Sequence, residues 1–249
     1  MLFRSSVGDS RYNAMQVTVT ERPTHGINFL AAYTLSQANA DGCNLGASCE
    51  SSNPYNKKGD YGTSDLNEKN VFSVAFTAAS PYNRSPNKLL ATVAGGWAVN
   101  GIVQVTSGQP FTVTTGTDAE NVGCCNQQRA NVSGNPNSGS KTRAQWFNTS
   151  AFSVPAAYTY GNEKPNSMVS QHWNNVDMSL FRQFRLGLGE ERYFEFRAES
   201  FNLFNNVVFG VPNTNVNAGL DSNGKPIFGS ITGQRNVPRE LQMSLKFYY

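Results

Sequence analysis

Glu195, Arg197 and Glu199 stand at alternate positions and therefore project from one face of an extended strand. Two carboxylates on one face could serve as a general acid and a general base. With an arginine between them, they read instead as charges paired with Arg197 or with an adjacent strand. His25 sits in the short turn Arg22-Pro-Thr-His-Gly26 and His172 at the end of a polar stretch, so each is expected to be solvated. Cys43, Cys49, Cys124 and Cys125 all fall in Gly/Asn/Ser-rich segments. Their spacing is poor for zinc, and neither histidine is close to them in sequence. Cys43 and Cys49 are near enough to close a loop disulfide, which suits an oxidising compartment; the state of Cys124 and Cys125 is left open. Gly187-Leu-Gly189 reads as a turn, and the sequence has no Gly-x-Ser-x-Gly elbow, His-Glu-x-x-His pair or phosphate loop. No catalytic, cofactor-binding or metal-ligating residue is expected. Trp146, Phe147, Phe152, Tyr158 and Tyr160 could stack on a ligand such as a glycan, or anchor their loop on itself or on the rest of the fold.

The elements that hold these residues are strands. Helix formers are scarce, and Asn, Ser, Thr, Gly, Phe and Tyr are plentiful. Only 39% of the chain is hydrophobic and its mean hydropathy is −0.44. Those values would suit a soluble protein, but also a barrel with apolar residues at every second position and polar loops. No run of 18 apolar residues could form a transmembrane helix. Net charge is +3 with acids and bases scattered, so no basic stripe points to nucleic acid.

Arg239–Tyr249 alternates almost without error: Leu241, Met243, Leu245, Phe247 and Tyr249 against Glu240, Gln242, Ser244 and Lys246. It matches the roughly 9–11 residues that a tilted strand needs to cross a bilayer. Six further segments share the pattern, giving strands near 12–21, 27–36, 70–79, 89–107, 175–185, 192–202 and 239–249. In the fourth, Gly95-Gly96 is expected as a bulge or bend. Leu30 is a misfit, and the pattern slips at Ser200, where Phe201, Leu203 and Phe204 cluster as an interfacial aromatic belt could.

The connections run short, long, short, long, short, long. About 66 residues, 108–173, form the longest irregular stretch, and about 34, 205–238, precede the last strand. A long loop of that kind is unusual in a compact soluble domain. Short turns on one side and long loops on the other are the pattern of an outer-membrane barrel. The expected fold is therefore all-β, an antiparallel transmembrane barrel segment in meander order with long extracellular loops. Met15, Val17, Val19, Phe29, Tyr33, Phe72, Phe76, Val99, Val103, Met178, Phe194, Phe196, Leu241 and Leu245 are expected toward lipid. Thr18, Thr34, Asn100, Asp177, Glu195, Arg197, Gln242 and Lys246 are expected on the opposite, lumen face. The amino-terminal residues carry no signal peptide, so the chain is read as the carboxy-terminal part of a single barrel domain.

With these elements placed, the sequence resembles the C-terminal barrel of TonB-dependent outer-membrane receptors, nearest the Oar-like group. The residues that carry the likeness include Gly8-Asp-Ser-Arg-Tyr-Asn-Ala-Met-Gln16, Asn53-Pro-Tyr-Asn56, Gly95-Gly-Trp-Ala-Val-Asn-Gly101 and Ser107-Gly-Gln-Pro-Phe-Thr-Val113. Trp146-Phe-Asn-Thr-Ser-Ala-Phe152, Gly161-Asn-Glu-Lys-Pro-Asn166, Asn175-Val-Asp-Met-Ser-Leu-Phe181 and Phe196-Arg-Ala-Glu-Ser-Phe-Asn-Leu-Phe-Asn205 continue it in the family's order. The resemblance implies a barrel of about 22 strands around a plug, energised through TonB for uptake of a ligand. It implies as partners outer-membrane lipid, the barrel-assembly machinery, a plug and upstream strands supplied by a parent chain, and TonB through that parent only. It assigns the assembly signal to the terminal strand, at Phe247 and Tyr249. Seven strands cannot close so wide a barrel, so this chain is expected as an open sheet with its first and last strands as edges. Two other readings are a secreted β-sandwich carbohydrate-binding module and a small autonomous barrel serving as an adhesin or anchor.

Overall fold

A computed structural model describes residues 8–24, 26–41, 53, 56–121, 123, 128–186 and 192–249. Seven long strands form one antiparallel path in chain order: β1 (Ser10–Thr24), β2 (Ile27–Ala40), β3 (Asn70–Ala79), β4 (Trp97–Thr106), β5 (Trp173–Arg185), β6 (Tyr193–Phe201) and β7 (Glu240–Tyr248). The two-residue strand Gly62–Thr63 adds to the upper end of β2. β1 and β7 are the two ends of the path, so the sheet is open, as expected for a part of a wider barrel. His25, the four cysteines and the Gly187-Leu-Gly189 turn lie outside the described residues.

Register gathers most of the apolar side chains of the seven strands on one face. Directly opposed residues of neighbouring strands share a face. Val17 opposes Tyr33, which opposes Phe72, which opposes Val105. Val103 opposes Val176, and Met178 opposes Ser200, which opposes Leu241. All fourteen residues expected toward lipid fall on this face, and the eight polar ones fall on the other. No second sheet covers the apolar face among the described residues: Leu241, Met243 and Leu245 are 71%, 75% and 68% exposed. The pairing runs through Ser200 without a break, so Ser200 points to the apolar side and Phe201 to the polar one. Leu30 does sit on the polar face, where it forms a row with Ala75 and Ile102.

One expected boundary is corrected. The fourth strand begins at Trp97, and Lys88–Ala94 is a helix, α1, with Asn87 as its N-cap. The Asn87 carboxamide oxygen accepts from the Leu89 and Leu90 amides, satisfying donors at the helix start. Alternation does not extend into 88–94, and Lys-Leu-Leu-Ala-Thr-Val-Ala is rich in helix formers. Gly96, at φ +79°, turns the chain from helix to strand in a conformation that a side chain disfavours.

The core is not under the sheet. Phe111, Val113, Ala130, Phe147, Ala151, Phe152 and Met168 form the buried apolar cluster, with Val216 and Phe228 packed against it. All belong to the segments 107–172 and 202–239, which meet at the end of the sheet opposite the short turns. These segments expected as irregular loops therefore form a folded cap.

Candidate functional site in the loop cap and polar sheet face

Three long connections build the cap. Segment 107–172 starts with Pro110–Phe111 paired to Met168–Val169, then Asn131–Val132 paired to Phe152–Ser153. Phe147 lies at the centre, with ring centroids 5.9 Å from Phe111, 5.5 Å from Phe152 and 5.3 Å from Phe228. Segment 202–239 is stitched on by backbone bonds: the Thr114 amide donates to the Thr214 carbonyl, and the Trp146 amide to that of Gly229, each at 2.9 Å. Segment 56–69 is held by Arg129, whose Nη1 lies 2.6 Å from Asp60 Oδ1 and whose Nη2 donates to the Gly59 carbonyl at 3.1 Å.

The motifs of the sequence serve as joints of this cap. A Cβ on Gly161 would stand 2.0 Å from the Arg129 carbonyl oxygen, and one on Gly108 would stand 1.9 Å from that of Ser170. Only glycine permits those approaches. Asn162 accepts from the Val132 amide at 2.7 Å and Asn166 donates to the Thr63 carbonyl at 2.8 Å. The Glu163 carboxylate accepts the Val113 amide with both oxygens, at 3.2 and 3.0 Å, and the Ser167 hydroxyl at 2.8 Å. Burial pushes Glu163 up to about 7, against the lowering effect of those two donors and of Arg129. Glu120 is also pushed up to about 7 by burial, with the Arg129 charge opposing. Among the described residues no group of three His, Cys, Asp or Glu could hold a metal ion.

The five loop aromatics separate into two sets. Phe147 and Phe152 are buried in the cap core, so they are withdrawn as ligand contacts: the hydrophobic effect places them against Phe111 and Phe228. Trp146 packs at the margin of that core and donates its indole N–H to the Val169 carbonyl at 3.1 Å. Tyr158 is 76% exposed and Tyr160 39% exposed. Spacing alone could not distinguish the two sets, because irregular loops have no period that marks an inner face.

On the polar sheet face, Glu195 is buried between neighbours. Arg197 Nη2 lies 3.2 Å from its Oε1, and Gln183 Nε2 donates to Oε2 at 3.2 Å. Arg197 also reaches Glu199 at 3.6 Å, and Lys246 opposes Glu195 across β7. The two carboxylates are thus ion-paired through Arg197 along β6 itself, and Gln183 ties Glu195 to β5. Higher up, Asp177 Oδ1 accepts from the Asn202 amide at 2.8 Å and ties the polar face to the cap. Asn202 adopts φ +49° and donates to the Val237 carbonyl at 3.0 Å, which brings segment 202–239 back toward β7.

Sequence reading missed Arg129, Glu120 and the α1 contacts. Arg182 on the apolar face donates to the Val93 and Thr92 carbonyls at 3.2 and 2.7 Å, with its guanidinium over the rings of Trp97 and Phe184. An arginine in the apolar phase of a strand was the one available signal.

A family profile described as an outer membrane beta barrel domain matches residues 1–242. The chain belongs to the outer membrane beta barrel family. Its apolar sheet face is the lipid face of an outer-membrane barrel, and its polar face is the lumen side. The barrel chain resides in the bacterial outer membrane. Its short turns are periplasmic and its cap extracellular, the arrangement usual for such barrels. Comparison with curated proteins and with solved structures gives no significant match.

Proposed function

We propose that this barrel chain is the C-terminal part of a TonB-dependent receptor that takes up an extracellular ligand. The observation that carries the reading is the joining of three long extracellular segments into one cap with its own core, above strands whose order leaves both edges open. A pore-forming receptor needs a rigid ligand-collecting surface outside and a charged, wet wall inside. The Glu195–Arg197–Glu199 ladder fits such a wall, because charges there can pair and hydrate. Tyr158, Tyr160 and the exposed part of Trp146 are the aromatic surface offered to a ligand, and the upstream strands and plug come from the parent chain. The reading needs no catalysis.

The test is capture of the parent chain, extracted in detergent, by the purified periplasmic domain of TonB. Retention that is lost when the parent's amino-terminal segment is deleted is the expected result; no retention refutes it. Two other outcomes point elsewhere. A chain that stays in solution without detergent would be a secreted carbohydrate-binding module. One that folds alone into a heat-modifiable barrel would be an adhesin or anchor.

A further inference from the structure

We infer that α1 is a surface anchor that lies in the periplasmic leaflet of the outer membrane and is fastened to the lipid side of the sheet. The placement follows from register. Trp97 and Arg182 are directly opposed on β4 and β5, in the same phase as Val99 and Leu180. Their side chains hold the end of the helix: Arg182 donates to the Thr92 and Val93 carbonyls, and the Trp97 indole N–H donates to the Val93 carbonyl at 3.0 Å. The last turn of α1 has no basic residue of its own. Arg182 therefore supplies the positive charge that favours a helix C-terminus.

The helix leaves the wrong residues uncovered for a water-facing turn. Leu89, Leu90 and Val93 are 74%, 41% and 64% exposed. At about 100° per residue these three share one side of the helix. Ala91 and Ala94 are half-buried, while Lys88 and Thr92 occupy the remaining, polar side. An element with one side on the barrel wall, one apolar side free and one polar side is the design of an interfacial helix. Its apolar side continues the lipid face, whose periplasmic end carries Phe194 and Phe247 with ring centroids 4.9 Å apart. Aromatic girdles of this kind mark the membrane–water boundary of a barrel. The occupant of the apolar side is phospholipid.

A nitroxide attached at single cysteines tests this in isolated outer membranes, where the protein keeps the strands that complete its barrel. Lys88→Cys, Leu89→Cys, Thr92→Cys and Val93→Cys are made in a chain with serine at positions 43, 49, 124 and 125. Val103→Cys, in the middle of the lipid face, is the reference. Collision with oxygen, which concentrates in lipid, is compared with collision with a water-confined nickel chelate. The expected result is an oxygen-to-nickel ratio several-fold higher at 89 and 93 than at 88 and 92, approaching that at 103. Equal nickel access at 89 and 92 overturns the anchor. So does loss of both relaxants at 89 and 93, which would mean a protein partner covers the helix. Water-like access at 103 would overturn it at its base, by removing the membrane. None of these outcomes depends on whether the barrel takes up a ligand.

Discussion

The ring of Phe76 occupies the space above Gly101 that a side chain would fill: a Cβ built on Gly101 would stand 2.4 Å from two of its atoms. The two residues are directly opposed on β3 and β4, on the lipid face. A large ring covering a bare glycine across strands is a recognised way of fixing register. Gly101→Val should force Phe76 aside and destabilise the folded barrel by about 1–3 kcal/mol, the usual range for overpacking. The check is the urea midpoint of the detergent-folded parent chain. Adding Phe76→Ala should recover part of the loss; a double variant as weak as the sum of the singles would show that the two positions are uncoupled.

Phe147 should matter to the cap and not to the sheet. Its ring joins Phe111, Phe152 and Phe228, and none of these belongs to a membrane-spanning strand. Phe147→Ala should cost the cap about 3–5 kcal/mol. Protease added to intact cells should then cut within 107–172 much faster, while the protein remains heat-modifiable in the outer membrane. Loss of insertion together with the cap would contradict this separation.

The cap should be more stable in mild acid. Glu163, raised from 4.5 to about 7 chiefly by burial, binds a proton in the folded cap that the unfolded segment releases between those values. Stability is therefore fully present below about pH 4.5, falls as pH rises through about 7, and is level above. Hydrogen exchange of residues 108–172, corrected for intrinsic rates, should show greater protection at pH 5 than at pH 8. Glu163→Gln should flatten much of that slope, and Glu120→Gln, a second group raised to about 7 by burial, the rest. Protection that increases with pH would refute the assignment.

The final strand should govern assembly. Phe247 pairs with Phe194 and lies 6.1 Å from Tyr249, and Tyr248 stacks on Tyr193 at 4.5 Å on the opposite face. Deleting Lys246–Tyr249 from the parent chain removes these contacts and should abolish stable insertion. A truncated protein still recovered as a heat-modifiable membrane species would count against the role given to Phe247 and Tyr249.

The sheet was legible in the sequence because a strand's two faces differ at every residue, and lipid on one side with water on the other imposes that difference locally. Val17, Phe72 and Leu245 could be assigned to their face from their immediate neighbours alone. The alternation of short and long connections then gave the topology. What only the tertiary structure decided lies where contacts are distant in sequence and follow no period. Arg129 reaches Asp60 across 69 positions, and Arg182 reaches Thr92 across 90. Phe147 and Tyr158 stand in one stretch of like composition, yet one is enclosed and the other open to solvent. The choice between them comes from the packing of three separate loops, which no local pattern encodes. The helix at Lys88–Ala94 was hidden for a related reason. Its apolar residues sit beside a strand of similar hydrophobicity, and it is fixed in place by an arginine from another strand.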